Sequence, residues 1–156
     1  MVERMYKSDL STDEKVLMAI VRAAEVFRRN HSEVFRNYGL SFPQYNVLRV
    51  LEASDKGQNK ISNVSRIMLV PGANITGLAK RLVKDGFIIK KSDDRDERVT
   101  ILEITPKGKK TLKNIKKEKD QRLELMLKNL SENQKLELLD KVKRILKNGM
   151  HRSSAT

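Results

Sequence analysis

Apolar residues recur at helical spacing through most of this chain, and polar start signals cut the pattern into segments. Val16, Ile20, Ala23, Phe27, Val34 and Phe35 share one face of a helix spanning about residues 12–36. Ser11-Thr12-Asp13-Glu14 opens it as a capping box, in which a hydroxyl and a carboxylate satisfy free amides of the first turn. Tyr38-Gly39-Leu40 breaks the run. Ser41-Phe42-Pro43-Gln44 is a second box, with proline in the first turn where a missing amide costs little. The helix it starts buries Tyr45, Val47, Leu48, Val50 and Leu51 and ends near Ala53, before a polar loop from Ser54 to Lys60. Ile61, Val64, Ile67 and Met68 form the next apolar stripe, with Ser62 as its cap. Leu69-Val70-Pro71-Gly72 is a turn, and helix resumes at about Ala73 with Ile75, Leu78, Ala79, Leu82 and Val83 facing inward. Asp85-Gly86 ends it through a left-handed glycine.

Two β-like runs follow, Phe87–Lys91 and Val99–Ile104, joined by the short charged segment Ser92–Arg98. Thr105-Pro106 reopens helix, which continues through Leu112, Ile115, Leu123, Met126 and Leu127 to about residue 130. Ser131-Glu132-Asn133-Gln134 is a third box, ahead of Leu136, Leu139, Val142, Ile145 and Leu146. A helix-turn-helix followed by two strands with a charged tip is a winged helix-turn-helix. The predicted fold class is therefore mostly α (α+β), with long N- and C-terminal dimerisation helices. The domain reading is an N-terminal dimerisation helix to residue 36, a winged unit at 37–110, C-terminal dimerisation helices at 111–148, and a disordered tail at 149–156. The terminal helices are long for 156 residues, and their apolar faces have little core left to cover, which predicts pairing with a second copy of the chain.

Charge turns this architecture towards a partner. The chain carries a formal net charge of +13, which fits a polyanion, nucleic acid first and an anionic membrane surface second. The excess concentrates: residues 60–119 hold sixteen Lys/Arg against seven Asp/Glu. Cysteine is absent, so disulfides, thiol nucleophiles and Cys-ligated zinc are excluded. Of the two histidines, His151 falls in the polar tail, leaving only His31, too few for a multi-histidine metal site. No cofactor and no metal are expected. No glycine-rich phosphate loop or nucleophile–base pair is present, and the carboxylates lie in charged contexts, which argues against an enzyme. No apolar run approaches the roughly 18 residues of a membrane span, and MVERMYKSDL lacks the apolar stretch of a secretory signal. A soluble cytoplasmic protein is expected.

The second helix of the pair leaves Asn74, Gly77 and Arg81 on its outer face, flanked by Thr76 and Lys80, with Gly72 and Ala73 at its start. Asparagine can pair with adenine, arginine with guanine, and a threonine methyl packs on thymine. Gly77 lets the backbone come close to a duplex. Ser62 and Asn63, at the start of the first helix of the pair, complete this DNA-facing set. A solvated helix face is the plain alternative. The tip Asp93-Asp94-Arg95-Asp96-Glu97-Arg98 carries four acids and two arginines, an odd choice for gripping phosphates. An acid beside an arginine can hold its guanidinium in one orientation, presenting Arg95 to a narrow A·T-rich minor groove. The alternative is a self-neutralised surface turn. Lys90, Lys91, Lys107, Lys109 and Lys110 are read as phosphate contacts or long-range attraction.

Four segments together resemble the multiple antibiotic resistance regulator (MarR) family: LSFPQYNVLRVL (40–51), ISNVSRIMLVPGANITGLAKRLVKDGFI (61–88), DDRDERV (93–99) and LEITPKGKK (102–110). The most specific element is the acid-x-Arg-Asp-x-Arg wing, met by Asp93, Arg95, Asp96 and Arg98. The Thr-x-x-Gly junction follows at Thr105 and Gly108, and an Asn-x-Thr-Gly-Leu recognition pattern at Asn74–Leu78. One departure is Leu69, where members often have glycine. The resemblance implies a homodimeric regulator of transcription, usually a repressor, whose recognition helices and wings read a pseudo-palindromic double-stranded DNA operator. It also implies a small aromatic or phenolic effector bound between the dimer helices and the winged domain, for which His31, Tyr38, Phe42 and Arg49 are the candidates. An architectural or RNA-binding winged helix with low sequence specificity is the alternative.

Overall fold

The computed structural model describes residues 9–152. Among these residues, six α-helices, a short 3-10 helix (Asp55–Gly57) and three strands are arranged as α1 (Thr12–Arg36), α2 (Phe42–Glu52), the 3-10 helix, β1 (Gln58–Lys60), α3 (Ile61–Met68), α4 (Gly72–Lys84), β2 (Ile88–Ser92), β3 (Thr100–Ile104), α5 (Pro106–Leu127) and α6 (Glu132–Arg152). The fold is the expected winged helix-turn-helix with long helices before and after it. The chain forms two compact units, one through Lys119 and one from Asp120 onward. The boundary falls within α5.

The start signals act through the bonds they were read for. Ser41 and Gln44 close a reciprocal box, with Ser41 N–H donating to Oε1 of Gln44 at 2.8 Å and Gln44 N–H to the Ser41 hydroxyl at 3.3 Å. Ser131 and Gln134 repeat it at 2.9 and 3.3 Å. At α1 only the hydroxyl half forms, Glu14 N–H to Ser11 Oγ. Such caps contribute about 1 kcal/mol each. Gly86 takes the left-handed conformation expected of it, at φ 78°.

The core of the winged unit gathers Phe35 from α1, Leu48 and Leu51 from α2, Val64 from α3, Ile75 and Leu82 from α4, Leu102 from β3 and Ile115 from α5. Phe35 and Tyr45 stack with ring centroids 3.9 Å apart. Burying each large side chain stabilises by about 1.5–3 kcal/mol. The junction between sheet and α5 is a second anchor. Thr105 N–H donates to the Phe87 carbonyl at 3.0 Å, and its hydroxyl donates to the Gly86 carbonyl at 2.7 Å. The same hydroxyl accepts Gly108 N–H at 3.2 Å, capping α5. A Cβ at Gly108 would lie 2.5 Å from the Phe87 carbonyl oxygen and 2.7 Å from Ile104 Cγ1, so the Thr-x-x-Gly spacing is a packing requirement.

Several expectations are corrected. The stretch expected as loop contains β1, which pairs antiparallel with β3 through Gln58↔Glu103, Asn59↔Leu102 and Lys60↔Ile101, giving the order β1-β3-β2. Ser62 is not the cap of α3: the helix begins at Ile61, two residues earlier than a Ser62 cap would start it, with Lys60 at the cap position and no side-chain bond. Ile67 and Val83, read as inward, are 58% and 39% exposed. Leu69 ends α3 in the left-handed region, φ 54°, ψ 42°. It is held there by Val70 N–H to the Ser65 carbonyl at 3.2 Å and the Ser65 hydroxyl to the Val70 carbonyl at 2.6 Å. α5 stops at Leu127, and α6 runs to Arg152, so 149–152, including His151, is helix rather than tail. The remainder of the expected tail, 153–156, lies outside the described residues.

Candidate nucleic-acid interface

α4 is built to turn one side to the core and leave the other open. Ile75, Ala79 and Leu82 are buried. Gly72, Ala73, Asn74, Thr76, Gly77, Lys80 and Arg81 are all exposed, so the structure brings the whole expected recognition set to one surface. The Thr76 hydroxyl donates back to the Gly72 carbonyl at 3.1 Å, which directs its hydrogen-bonding away from the outer surface. Nothing lies within 4 Å of a Cβ built on Gly77. Glycine costs about 1 kcal/mol in a helix interior, and no contact within the chain requires it there.

The helix starts differ in a way that matters for anions. α1, α2, α5 and α6 each begin with a serine or threonine whose hydroxyl accepts a first-turn amide. α3 and α4 begin at Lys60 and Pro71, with no side-chain cap and no acid in the first turn. Their free amides and positive dipole ends are left to solvent or to an external anion.

In the wing, β2 and β3 pair from Ile88↔Ile104 to Ser92↔Thr100. The acids of the tip shape its backbone. Asp93 Oδ1 accepts Arg95 N–H at 2.9 Å, and Asp96 Oδ1 accepts Arg98 N–H at 3.0 Å and Arg98 Nε at 3.2 Å. The expectation that an acid holds the Arg95 guanidinium is therefore corrected: Asp93 binds the Arg95 backbone, and only Arg98 has its guanidinium held. Asp93 also lies 3.8 Å from Lys60 Nζ, tying the tip to the start of α3. Lys91 pairs with Glu103 at 2.5 Å, whereas Lys90 and Arg95 form no ion pair among the described residues and stay exposed. Lys107 is a structural pin. Its ammonium donates to the Asp85 carbonyl at 2.6 Å and sits 4.6 Å from the Phe87 ring centroid.

Of the first-helix pair, Ser62 is exposed, but Asn63 is half-buried and engaged within the chain. Its amide donates to Asn59 Oδ1 at 3.0 Å, and its oxygen accepts from Arg66 Nη2. Sequence reading did not single out Arg66, which the structure joins to Asn63; the available signal was an asparagine one helical turn before an arginine.

The four effector candidates do not form one site, although His31 and Phe42 both pack against the rings of Phe27 and Phe35. His31 is fully buried, with Nδ1 2.9 Å from the Phe27 carbonyl oxygen and Nε2 without a partner. Phe42 packs edge-on to Phe27 and lines a groove of about 460 Å³ with Arg28, Arg29 and Arg36. Arg49, paired with Glu52, lines a different groove of about 520 Å³ between α2 and α5. The Tyr38 hydroxyl lies 3.4 Å from the Asn114 carbonyl oxygen. Beside the first groove, hydrogen bonds from Arg28 and then Arg29 hold the Glu25 carboxyl below its usual range, and Glu25 in turn raises Arg28. Among the described residues no group of three or more His, Asp or Glu could hold a metal ion, and no helix is long and apolar enough to cross a membrane.

Comparison with known proteins places this geometry. The family described as transcriptional regulator SarA/Rot matches residues 29–115. The regulator TtmR of Methylorubrum extorquens (strain PA1) is 33% identical over 99 residues, 64% of this chain and 50% of TtmR. The chain spans 50% of the length of TtmR, 59% of YfiV of Bacillus subtilis (strain 168) and 58% of SarZ of Staphylococcus epidermidis. Among solved structures, Sco3205, a MarR family regulator from Streptomyces coelicolor in complex with DNA, superposes with a TM-score of 0.79 at 18% identity, covering 93% of this chain and 92% of that one. NadR in complex with 4-hydroxyphenylacetate gives 0.74 at 19% identity, covering 90% and 96%. The match covers more than half of the chain and the superposition reaches into the long flanking helices, so this chain belongs to the SarA/Rot family of transcriptional regulators and carries the winged-helix fold of the MarR regulators.

Proposed function

We propose that the chain is a cytoplasmic, sequence-specific double-stranded DNA-binding repressor that acts as a homodimer on a pseudo-palindromic operator. The observation that carries this reading is Gly77: a mid-helix glycine, exposed and in open space, is a cost to the fold that close approach of a duplex to α4 explains. Uncapped starts at α3 and α4, unpaired Lys90 and Arg95 and the DNA complex solved for Sco3205 support it. Asn74, Thr76 and Arg81 would read base edges in a major groove, Gly72, Ala73, Lys80 and Ser62 would sit along the backbone, and Arg95 would enter the minor groove. Asp93, Asp96 and Arg98 would shape the wing, Lys90 would meet a phosphate, and Lys91 would do so by sharing its bond to Glu103.

Dimerisation is supported by apolar faces that the chain leaves open. Val16, Leu17 and Val21 on α1 are exposed, as are Leu136, Leu139, Leu146 and Met150 on one stripe of α6. Two heads on one frame bind a second half-site intramolecularly. A small aromatic or phenolic ligand, the class represented by the 4-hydroxyphenylacetate bound to NadR, would release DNA by preferring a different head spacing, to the extent of its differential affinity for the two states. The grooves beside Phe42 and Arg49 are its entry points.

The test is Gly77→Ala, because the two readouts move in opposite directions. Alanine should stabilise the fold by about 1 kcal/mol and raise the melting temperature, while operator affinity falls about tenfold, the value of one lost base contact. Unchanged affinity at fixed salt would reject the role of α4, and absence of duplex binding by the wild type at low salt would reject the function.

A further inference from the structure

A line of side-chain hydrogen bonds crosses the winged unit and ends on an exposed cation. The Ser54 hydroxyl donates to the Val50 carbonyl at 2.7 Å, near the end of α2. Asn59 Nδ2 on β1 donates to that hydroxyl at 2.9 Å. Asn59 Oδ1 accepts Asn63 Nδ2 at 3.0 Å, together with Lys60 N–H at 2.9 Å. Asn63 Oδ1 then accepts Nη2 of Arg66. Each group donates in one direction and accepts from the other, and Ser54, Asn59 and Asn63 are all half-buried. The arginine at the end is the one exposed member. Its orientation is thus fixed from inside the fold, through β1.

The place where it is held is specific. Val64 faces the core, and Arg66 projects from the opposite side of α3. Ser62 lies one turn before it on that outer side, and the turn into α4 follows directly, with Leu69 N–H donating to the Arg66 carbonyl at 3.2 Å. Between Arg66 and Lys80 the chain runs for thirteen residues without a charge, in a protein of net charge +13. That run contains the turn and the first half of the recognition face. The nearest charge on each side of it is a cation, Lys80 beyond and Arg66 before.

We infer that Arg66 is a duplex phosphate contact bracketing the recognition face opposite Lys80, and that Asn63 and Asn59 are positioning residues that aim it rather than DNA contacts themselves. This rests on the DNA-binding reading above. A guanidinium offers a phosphate two parallel N–H donors. Spending one donor on Asn63 fixes the plane of the fork and leaves the others directed outward. A phosphate contact carries no sequence preference, so the effect should appear on any duplex, without knowledge of the operator.

The test uses the full-length protein and a random-sequence duplex of about two helical turns, titrated over a range of salt concentrations. Arg66→Ala should weaken binding about tenfold, as expected for one charge-assisted hydrogen bond, and lower the salt slope by about one. Arg66→Lys should keep the slope and lose part of the affinity. Asn63→Ala should weaken binding a few-fold in the wild type and have no effect in an Arg66→Ala background, because its influence passes through the arginine. Melting curves on each variant separate these effects from unfolding. If the wild type binds duplex and Arg66→Ala leaves affinity and slope unchanged, the inference is wrong while the DNA-binding reading survives. If Asn63→Ala weakens binding equally in both backgrounds, its assignment as a positioning residue is overturned. A wild type that ignores duplex at low salt removes both.

Discussion

The middle of the chain and its two ends use the same hydrophobic vocabulary to different effect. Between His31 and Ile115, apolar residues from α1 to α5 and from β2 and β3 meet in one core sealed from solvent. Among the described residues before His31 and after Ile115, none is buried, although α1 and α6 carry apolar stripes of comparable regularity. Leu139 is 49% exposed and Leu17 is 50% exposed. A periodic stripe therefore specifies a helix and the face it will bury, and leaves open what buries it. The SarA/Rot match at residues 29–115 falls almost on the sealed stretch, as expected if the shared signature records the part that closes its own core.

The sharpest way to break this contrast is to charge the open stripe. Leu139→Glu with Leu146→Glu touches no buried residue, so the winged unit should keep its melting behaviour. The assembly should not survive. Light scattering should show one copy in place of two, and affinity for a palindromic duplex should fall about 10²–10⁴-fold, the size of a lost intramolecular second encounter, while a single half-site is bound as before. A variant that remains a dimer with unchanged palindrome affinity would show that the exposed stripe of α6 is not what joins two copies.

The same contrast explains what could be read in advance. The capping residues Ser41, Gln44, Ser131, Gln134 and Thr105 act locally, within three or four residues, and sequence reveals local chemistry well. β1 is the opposite case. Gln58, Asn59 and Lys60 show no apolar alternation because the strand is held by backbone pairing with Gln58↔Glu103 and its neighbours, and backbone groups leave no trace in residue choice. The partners of Asn63 and Arg95 were illegible for a related reason. Both residue types suit DNA, but what Asn63 bonds to depends on Asn59 arriving from β1, and Asp93 captured the Arg95 backbone rather than its guanidinium. Ile67 and Val83 fit the apolar spacing yet face outward, since helices around a small core have more apolar positions than core to receive them.

Within the sealed region, a change should register as stability instead of assembly. Gly108→Ala is the direct probe. The added methyl would sit 2.5 Å from the Phe87 carbonyl oxygen, and backbone cannot swing aside as a flexible side chain can. Overpacking of this kind costs about 1–3 kcal/mol, read as a lower denaturation midpoint with no change in the number of copies that associate. A neutral result would mean that the contact between α5 and the sheet is loose, and the contrast between sealed middle and open ends would soften.

Leu69 gives the smallest and most discriminating probe, because it lies in the sealed stretch without sharing its character. It is 59% exposed and adopts a left-handed backbone, a conformation that costs an L-residue about 1–2 kcal/mol. Glycine would remove that cost, but its greater freedom in the unfolded chain takes back about 0.5–1 kcal/mol. Little burial is lost with a side chain already largely in water, so Leu69→Gly should gain about 0.5–1 kcal/mol. A winged unit of this size would then melt several degrees higher. The bonds from Ser65 to Val70 fix the turn for either residue, so the backbone itself should not move. A lower melting temperature would mean that the leucine is covered by something beyond its own chain, most simply the second copy. The sealed middle would then be less self-sufficient than its burial implies.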